Sequence, residues 1–176
     1  MRPPRIQPLL AALLWLGLAV SVPAADDVYQ KPSEFIREVF GGEIPKAGTV
    51  TLTDEDQARV RTFLGHPYEA QRVRYWSDGT KTAWILNGIG KTKPITTGYV
   101  VVKDRIERVT VLIYRESHGW EVRQPFFTRQ FQGATLEEDG KLDRRIDHIA
   151  GATLSSRALT GMARLALFLD QKKASE

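Results

Sequence analysis

Residues 95–102 and 106–114 have the sequences ITTGYVVV and IERVTVLIY, and the three residues KDR connect them. Both runs are rich in β-branched residues, which favour extended strands. A connection this short turns the second strand back against the first, so the pair is predicted to form an antiparallel hairpin. The centre of the chain is therefore expected to lie in an antiparallel sheet.

A second hairpin is predicted just before the first. Residues 72–76 (RVRYW) and 82–86 (TAWIL) are strand-like, and they flank Ser77-Asp78-Gly79-Thr80. An Asp-Gly pair between two such runs is a strong signal for a hairpin turn. The sheet is thus expected to consist mainly of strands that are neighbours in sequence.

Two helices are predicted on the N-terminal side of the hairpins. Residues 32–40 place apolar side chains on one face, with Ser33 as the expected cap and Gly41-Gly42 as the stop. Thr53 precedes three acidic residues, which suit the start of a helix, and Gly65 is expected to end that helix.

Further helices are predicted after the hairpins. A short helix is expected near residues 126–131, and apolar residues recur at helical spacing from Leu154 to about Gln171. The last helix is expected to pack on the sheet. Helices at both ends of an antiparallel sheet indicate an α+β domain.

The composition is that of a globular domain without thiol chemistry. Of the 176 residues, 42% are hydrophobic and 26% are charged, and none is cysteine. Disulfides, thiolate zinc sites, iron–sulfur clusters and thiol nucleophiles are therefore excluded. Any redox chemistry must depend on a cofactor that other groups hold.

The first residues have the pattern of a secretory signal peptide. Two arginines precede an apolar run over residues 9–20, and Val22-Pro23-Ala24 has the small residues that a cleavage site requires. The run of about twelve residues is shorter than the roughly twenty that span a bilayer. We expect a signal peptide over residues 1–24 and a single domain over residues 26–176, in the periplasm or another extracytoplasmic compartment. A retained membrane anchor is the alternative.

Cleavage would leave a chain with little net charge. The full sequence has 25 basic and 21 acidic residues, and removing Arg2 and Arg5 leaves 23 basic residues and a net charge of +2. The sequence contains no block of lysine or arginine with interleaved aromatic residues. Nucleic-acid binding is therefore not predicted.

The chemically informative segment is DHIAGATLSS, residues 147–156, immediately before the last helix. Gly151 and Ala152 let the backbone approach a ligand closely. The first N–H groups of a helix lack intrahelical partners and attract anions such as phosphate. The segment also contains three hydroxyl residues, Thr153, Ser155 and Ser156. One interpretation is an anion site; the other is that one of these hydroxyls simply caps the helix, which is the commoner role.

Residues 147–156 resemble the flavinylation motif of the FMN-binding domain family, which includes the covalently flavinylated subunits of the Rnf and sodium-translocating quinone oxidoreductase complexes. The family pattern is an aspartate, two variable residues, serine or threonine, and then Gly-Ala-Thr, followed closely by a hydroxyl residue. Asp147 and Gly151-Ala152-Thr153 match it, whereas Ala150 stands where the family usually has serine or threonine.

The resemblance covers roughly residues 80–170. Its upstream landmarks are Gly90-Lys91 before Ile95-Thr96, the segment 116–119 and residues 127–133. In the family, FMN is esterified through its phosphate to the threonine of the motif. The resemblance therefore implies an FMN-binding domain with covalent FMN on Thr153.

The resemblance also implies which residues surround the cofactor. Those near the attachment point are Asp147, Gly151, Ala152, Leu154, Ser155 and Ser156, and those further along the flavin are Glu116, Ser117, Trp120 and Lys141. Glu116 is expected to orient the isoalloxazine ring through a charged hydrogen bond, so that Glu116→Gln would raise the reduction potential and leave attachment intact. Trp120 is expected to stack on the ring.

Other sites are weaker candidates. Gly90-Lys91-Thr92 looks like the end of a P-loop, but Ile85 occupies the position of the required first glycine. The three histidines, at positions 66, 118 and 148, are too scattered for a metal pair. No catalytic side chain and no metal ligand are predicted.

The resemblance implies an exported electron-transfer flavoprotein more than an autonomous enzyme. Its expected partners are a flavin transferase for maturation and a membrane or periplasmic redox protein. Two alternatives remain open: an exported binding module without cofactor, in which the motif only caps a helix, and a flavin-dependent reductase of a small molecule. The reductase is the less favoured of these because no convincing proton donor lies near the motif.

Overall fold

The computed structural model describes residues 26–175, and the predicted signal peptide lies outside this range. Its strands are β1 (Asp27–Val28), β2 (Ala47–Thr51), β3 (Arg72–Ser77), β4 (Thr82–Ile89), β5 (Pro94–Val102) and β6 (Arg105–Tyr114). They form one antiparallel sheet in the order β1-β6-β5-β4-β3-β2.

The helices are α1 (Pro32–Val39), α2 (Asp54–Leu64), α3 (Pro125–Thr128) and α4 (Thr153–Ser175), with short 3-10 turns at Trp120–Arg123 and Arg129–Phe131. The α+β prediction is confirmed, and α4 begins at the motif threonine as expected. Within residues 26–175, no helix is both long enough and apolar enough to cross a bilayer.

Both predicted hairpins are confirmed. In the β3–β4 turn, Oδ1 of Asp78 accepts a hydrogen bond from the N–H of Thr80 at 2.9 Å, and Gly79 has a φ of 88°. The β5–β6 turn is shorter than predicted, because β6 already begins at Arg105. Its two residues, Lys103 and Asp104, both have positive φ, which matches the twist of the flanking strands.

The edge strands β1 and β2 were not predicted. β2 pairs with β3, and only Val50 among its five residues is buried, so its sequence lacks a strand-like apolar pattern. Gly48 is needed there because the Tyr75 ring crosses it: a Cβ atom would lie 2.2 Å from that ring. β1 has only two residues and pairs with the end of β6.

The predicted helices form, with one correction at the first. The residue before α1 is Lys31, and Pro32 takes the first helical position, which its fixed φ and missing N–H suit. Ser33 is therefore inside the first turn and does not cap the helix. At α2, Thr53 is the cap as predicted: its N–H donates to Asp56 at 2.7 Å, and its Oγ1 accepts from the Asp56 N–H at 3.2 Å.

The sheet has a hydrophobic core on each face. On one face, α1 packs Phe35 and Ile36 against the sheet, and Gly98 makes room for the Phe35 ring. On the other face, α2 and α4 cover the larger core. The buried Tyr99 hydroxyl of β5 donates to the carbonyl of Leu159 at 3.0 Å, which fixes α4 to the sheet as predicted.

Candidate functional site

The motif folds into a closed turn that leads directly into α4. Gly151 has a φ of 82°, a conformation that glycine adopts without strain. The hydroxyl of Ser156 donates to the carbonyl of Ala152 at 2.9 Å and accepts from the N–H of Ile149 at 3.2 Å. Ser156 is fully buried and thus holds the turn together from behind.

Ser155 is also buried and has a partner on the sheet. Its Oγ lies 2.9 Å from the hydroxyl of Tyr114, which also donates to the carbonyl of His118. Because the phenol proton points to that carbonyl, the Ser155 hydroxyl donates to the Tyr114 oxygen. Burial raises the pKa of Tyr114, against a smaller opposing effect of the Ser155 hydrogen bond, so the phenol stays neutral.

Thr153 differs from both serines. It is exposed at the first position of α4, and its hydroxyl forms no hydrogen bond within residues 26–175. In the same range, no hydroxyl side chain accepts from the first N–H groups of α4, which does not support the helix-cap interpretation. These N–H groups and the Thr153 hydroxyl face the same region of solvent.

That region is a cleft of about 390 Å³ between the start of α4 and two loops. Gly151, Ala152, Thr153, Leu154 and Ser155 form the helix side. The β4–β5 loop contributes Lys91, and the loop after β6 contributes Glu116, Ser117 and His118. The predicted meeting of the Glu116 loop with the motif is therefore found.

Close packing at Gly119 sets the spacing of the cleft walls. Gly119 has a φ of 90°, and a Cβ atom there would lie 2.9 Å from the Tyr114 hydroxyl and 3.0 Å from Ser155 Oγ. A larger residue would push the loop away from α4. Glycine is thus required here for both conformation and contact.

The carboxylate of Glu116 binds the β4–β5 loop. Oε1 accepts hydrogen bonds from the N–H groups of Thr92 at 2.6 Å and Lys93 at 2.8 Å, and Oε2 accepts from the Thr92 hydroxyl at 3.2 Å. Burial opposes ionisation of Glu116, but these hydrogen bonds together outweigh it and lower the pKa of the carboxyl. Glu116 is therefore an anion that holds a loop at the edge of the cleft.

The sequence analysis did not include Lys91 and His118 in the site. Lys91 is exposed, lines the cleft, and forms no ion pair with any residue that the structure describes. His118 lies beside Ser117, with Nδ1 2.9 Å from the serine Oγ. Gly90-Lys91 was noted as a family landmark, and this was the available signal for Lys91.

Three predicted site residues lie outside the cleft. Trp120 is 44% exposed and stacks on the Arg123 guanidinium at 5.2 Å. Lys141 pairs with Asp139 at 2.6 Å, and Asp147 pairs with Arg145 at 3.3 Å. Lys141 and Asp147 line a separate, larger groove.

The donor set of the cleft fits a phosphate-bearing ligand. It combines free N–H groups at the start of a 23-residue helix, one lysine and one unbonded hydroxyl. Helix N-termini bind phosphate through such N–H groups and the helix dipole. The cleft is open to solvent, so a larger group attached to the phosphate has room to extend outward.

Comparisons with known proteins agree with this geometry. Residues 90–167 match the family model described as the FMN-binding domain, so the matched segment contains both walls of the cleft. The fold is similar to the crystal structure of Shewanella oneidensis NqrC, with 18% identity and a TM-score of 0.55 over 82% of this chain and 90% of that one.

A second similar structure is that of the corresponding subunit of the Na⁺-translocating NADH-quinone reductase from Parabacteroides distasonis. The identity is 18% and the TM-score is 0.50, over 77% of this chain and 80% of that one. At these identities the two structures establish the shared fold. No curated protein matches the chain.

Proposed function

We propose that this protein, whose residues 90–167 belong to the FMN-binding domain family, carries FMN covalently on Thr153 and transfers electrons between redox partners. The observation that carries the proposal is the state of the three motif hydroxyls. Ser155 and Ser156 are buried and hydrogen-bonded, whereas Thr153 is exposed beside the phosphate-binding end of α4. Only Thr153 is accessible to a modifying enzyme.

The covalent link requires an activated donor. Joining free FMN to a hydroxyl would release water and is unfavourable in aqueous solution, so the donor must contain a phosphoanhydride, as a flavin dinucleotide does. The Oγ1 of Thr153 would bond to the phosphorus of the FMN half and lose its proton. The phosphoanhydride bond would break, and the adenylate half would leave as AMP. A flavin transferase is the expected catalyst.

The protein residues would then position the cofactor. When bound, flavin supplies one- or two-electron chemistry. The N–H groups at the start of α4 would bind the phosphodiester, and the tether would prevent loss of the cofactor. Exposed Leu154 and the loop around Ser117 would border the part of the flavin that extends from the cleft.

An open cleft favours electron exchange with another protein. Chemistry on a small substrate calls for a closed, dry site with a proton donor. The nearest phenol, Tyr114, is partly buried and already donates to His118. The similarity to subunits of a Na⁺-translocating reductase supports a membrane redox protein as the partner.

Export is a separate part of the proposal and rests on the sequence of residues 1–24. We propose an extracytoplasmic location, where a covalent tether matters because no pool of free flavin replaces a lost cofactor. N-terminal sequencing of the protein from its native host should give a start after Ala24 or Ala25. An intact N-terminus in the membrane fraction would instead support a retained anchor.

Co-expression with a flavin transferase tests the cofactor proposal. The purified protein should be yellow, and its fluorescence should remain on a denaturing gel. The same protein expressed without the transferase should give no fluorescent band. A protein that stays colourless in both cases would support the cofactor-free binding module, and a native yellow protein that loses all flavin on denaturation would contradict covalent attachment.

A further inference from the structure

We infer that Lys91 forms the ion pair with the flavin phosphate, and that Glu116 is the positioning residue that holds the Lys91 loop at the cleft. This inference rests on the proposed function and specifies how the same site binds its cofactor. It assigns Glu116 to the phosphate end of the site, whereas the sequence analysis placed it beside the isoalloxazine ring.

The position of Lys91 is the first argument. It is the one lysine or arginine among the described residues that line the cleft, and it faces the start of α4 across from Thr153. An ammonium group there adds to the positive end of the helix dipole. A phosphodiester on Thr153 would thus have backbone N–H groups on one side and a cation on the other.

The second argument is that the β4–β5 loop is fixed on both sides of Lys91. The N–H of Gly90 donates to the carbonyl of Lys93 at 3.1 Å, which closes the loop. The N–H groups of Thr92 and Lys93 donate to Glu116. A Cβ atom on Gly90 would lie 2.9 Å from the Glu116 carboxylate, so the loop and the carboxylate are in close contact. The backbone of Lys91 is therefore held in place.

Charge is the third argument. Glu116 is the one carboxylate among the described residues lining the cleft, and an isolated anion there would repel a phosphate. Its oxygens instead accept three hydrogen bonds from the loop, which partly neutralises them. Lys91 then supplies a full positive charge without an ion pair to another described residue.

Lys93 provides a matched control for Lys91. Both are exposed lysines of the same loop, two residues apart, but Lys93 does not line the cleft. Replacing either one by alanine changes the net charge equally. A difference between the two variants therefore reports the position of the ammonium group.

The test is a thermodynamic cycle on the mature protein, with and without attached flavin, by thermal unfolding. Attachment should raise Tm in the wild type, and Lys91→Ala should reduce that increase by about 2 °C, the effect of a partly exposed ion pair in a domain of this size. Lys93→Ala should keep the full increase, and Lys91→Arg should restore most of it. High salt should remove the difference.

Glu116→Gln tests the positioning role in the same cycle. It should reduce the flavin-dependent increase in the wild-type background and have no further effect on it in the Lys91→Ala background. A purely structural role would lower Tm equally with and without flavin.

Every outcome decides the question. Failure to flavinylate only the Lys91→Ala variant, while Lys93→Ala is modified normally, would also support Lys91 as the phosphate partner. Failure to flavinylate the wild type would contradict the proposed function itself. Equal Tm increases in wild type, Lys91→Ala and Lys93→Ala would overturn the assignment of Lys91 and leave the proposed function intact.

Discussion

The hydroxyl of Tyr114, the last residue of β6, lies 2.9 Å from Oγ of Ser155 in the first turn of α4. The same phenol donates to the carbonyl of His118 in the loop on the opposite wall of the cleft. One side chain therefore sets the distance between the two walls. It also occupies Ser155, which leaves Thr153 as the accessible hydroxyl of the motif.

Removing the Tyr114 hydroxyl should destabilise the protein. Tyr114→Phe would leave the buried Ser155 hydroxyl and the His118 carbonyl without this partner, at a cost of about 1–3 kcal/mol in the free energy of unfolding. Urea unfolding measures this cost. The control is Tyr68→Phe, since Tyr68 is partly buried but its hydroxyl forms no hydrogen bond in the described part of the chain, and it should change stability by less than about 0.5 kcal/mol. Equal costs would show that the Tyr114 hydrogen bonds do not stabilise the site.

Gly119→Ala should damage the cleft more than its backbone strain explains. Gly119 and Gly79 have nearly the same φ, 90° and 88°, but a Cβ atom at Gly79 would have no atom within 4 Å. Gly79→Ala should therefore cost only the left-handed strain, about 1–2 kcal/mol. Gly119→Ala should cost more and should also lower the yield of flavinylated protein. If both variants lose the same stability and are flavinylated equally, the contact between Gly119 and α4 is unimportant.

Ionised Glu116 should stabilise the apo-protein in a pH-dependent way. Because the pKa of this carboxyl is lowered from its usual 4.5 in the folded state, its contribution is fully present above the unfolded-state pKa. The contribution is lost as the pH falls below 4.5 and through the lowered pKa. The Tm difference between wild type and Glu116→Gln should thus be constant near neutral pH and shrink in acid. The exposed Glu43 gives a control variant, Glu43→Gln, and a similar pH dependence there would contradict a specific role of Glu116.

The hairpins and the motif turn were predictable because their signals are local. Asp78-Gly79 defines one turn, and Gly151 followed by helical periodicity defines the start of α4. The edge strand β2 was not predictable, because it buries only Val50 and forms by pairing with β3. Short edge strands depend on their neighbours more than on their own sequence.

The composition of the site was predictable only in part. Lys91 reaches the cleft because Glu116, more than twenty residues later, binds the Lys91 loop, and no local pattern encodes that contact. Trp120 was expected at the ring, but it packs on Arg123, whose guanidinium also lies 4.2 Å from the Tyr29 ring. Lys141 and Asp147 pair with neighbours in sequence and line a different groove.

The account rests most directly on Thr153 as the attachment site. Peptide mass spectrometry of protein co-expressed with a flavin transferase should find one FMN-sized adduct, on Thr153. The adduct should be absent from Thr153→Ala and present in both Ser155→Ala and Ser156→Ala. An adduct on Ser155 or Ser156, or one that persists in Thr153→Ala, would contradict the account.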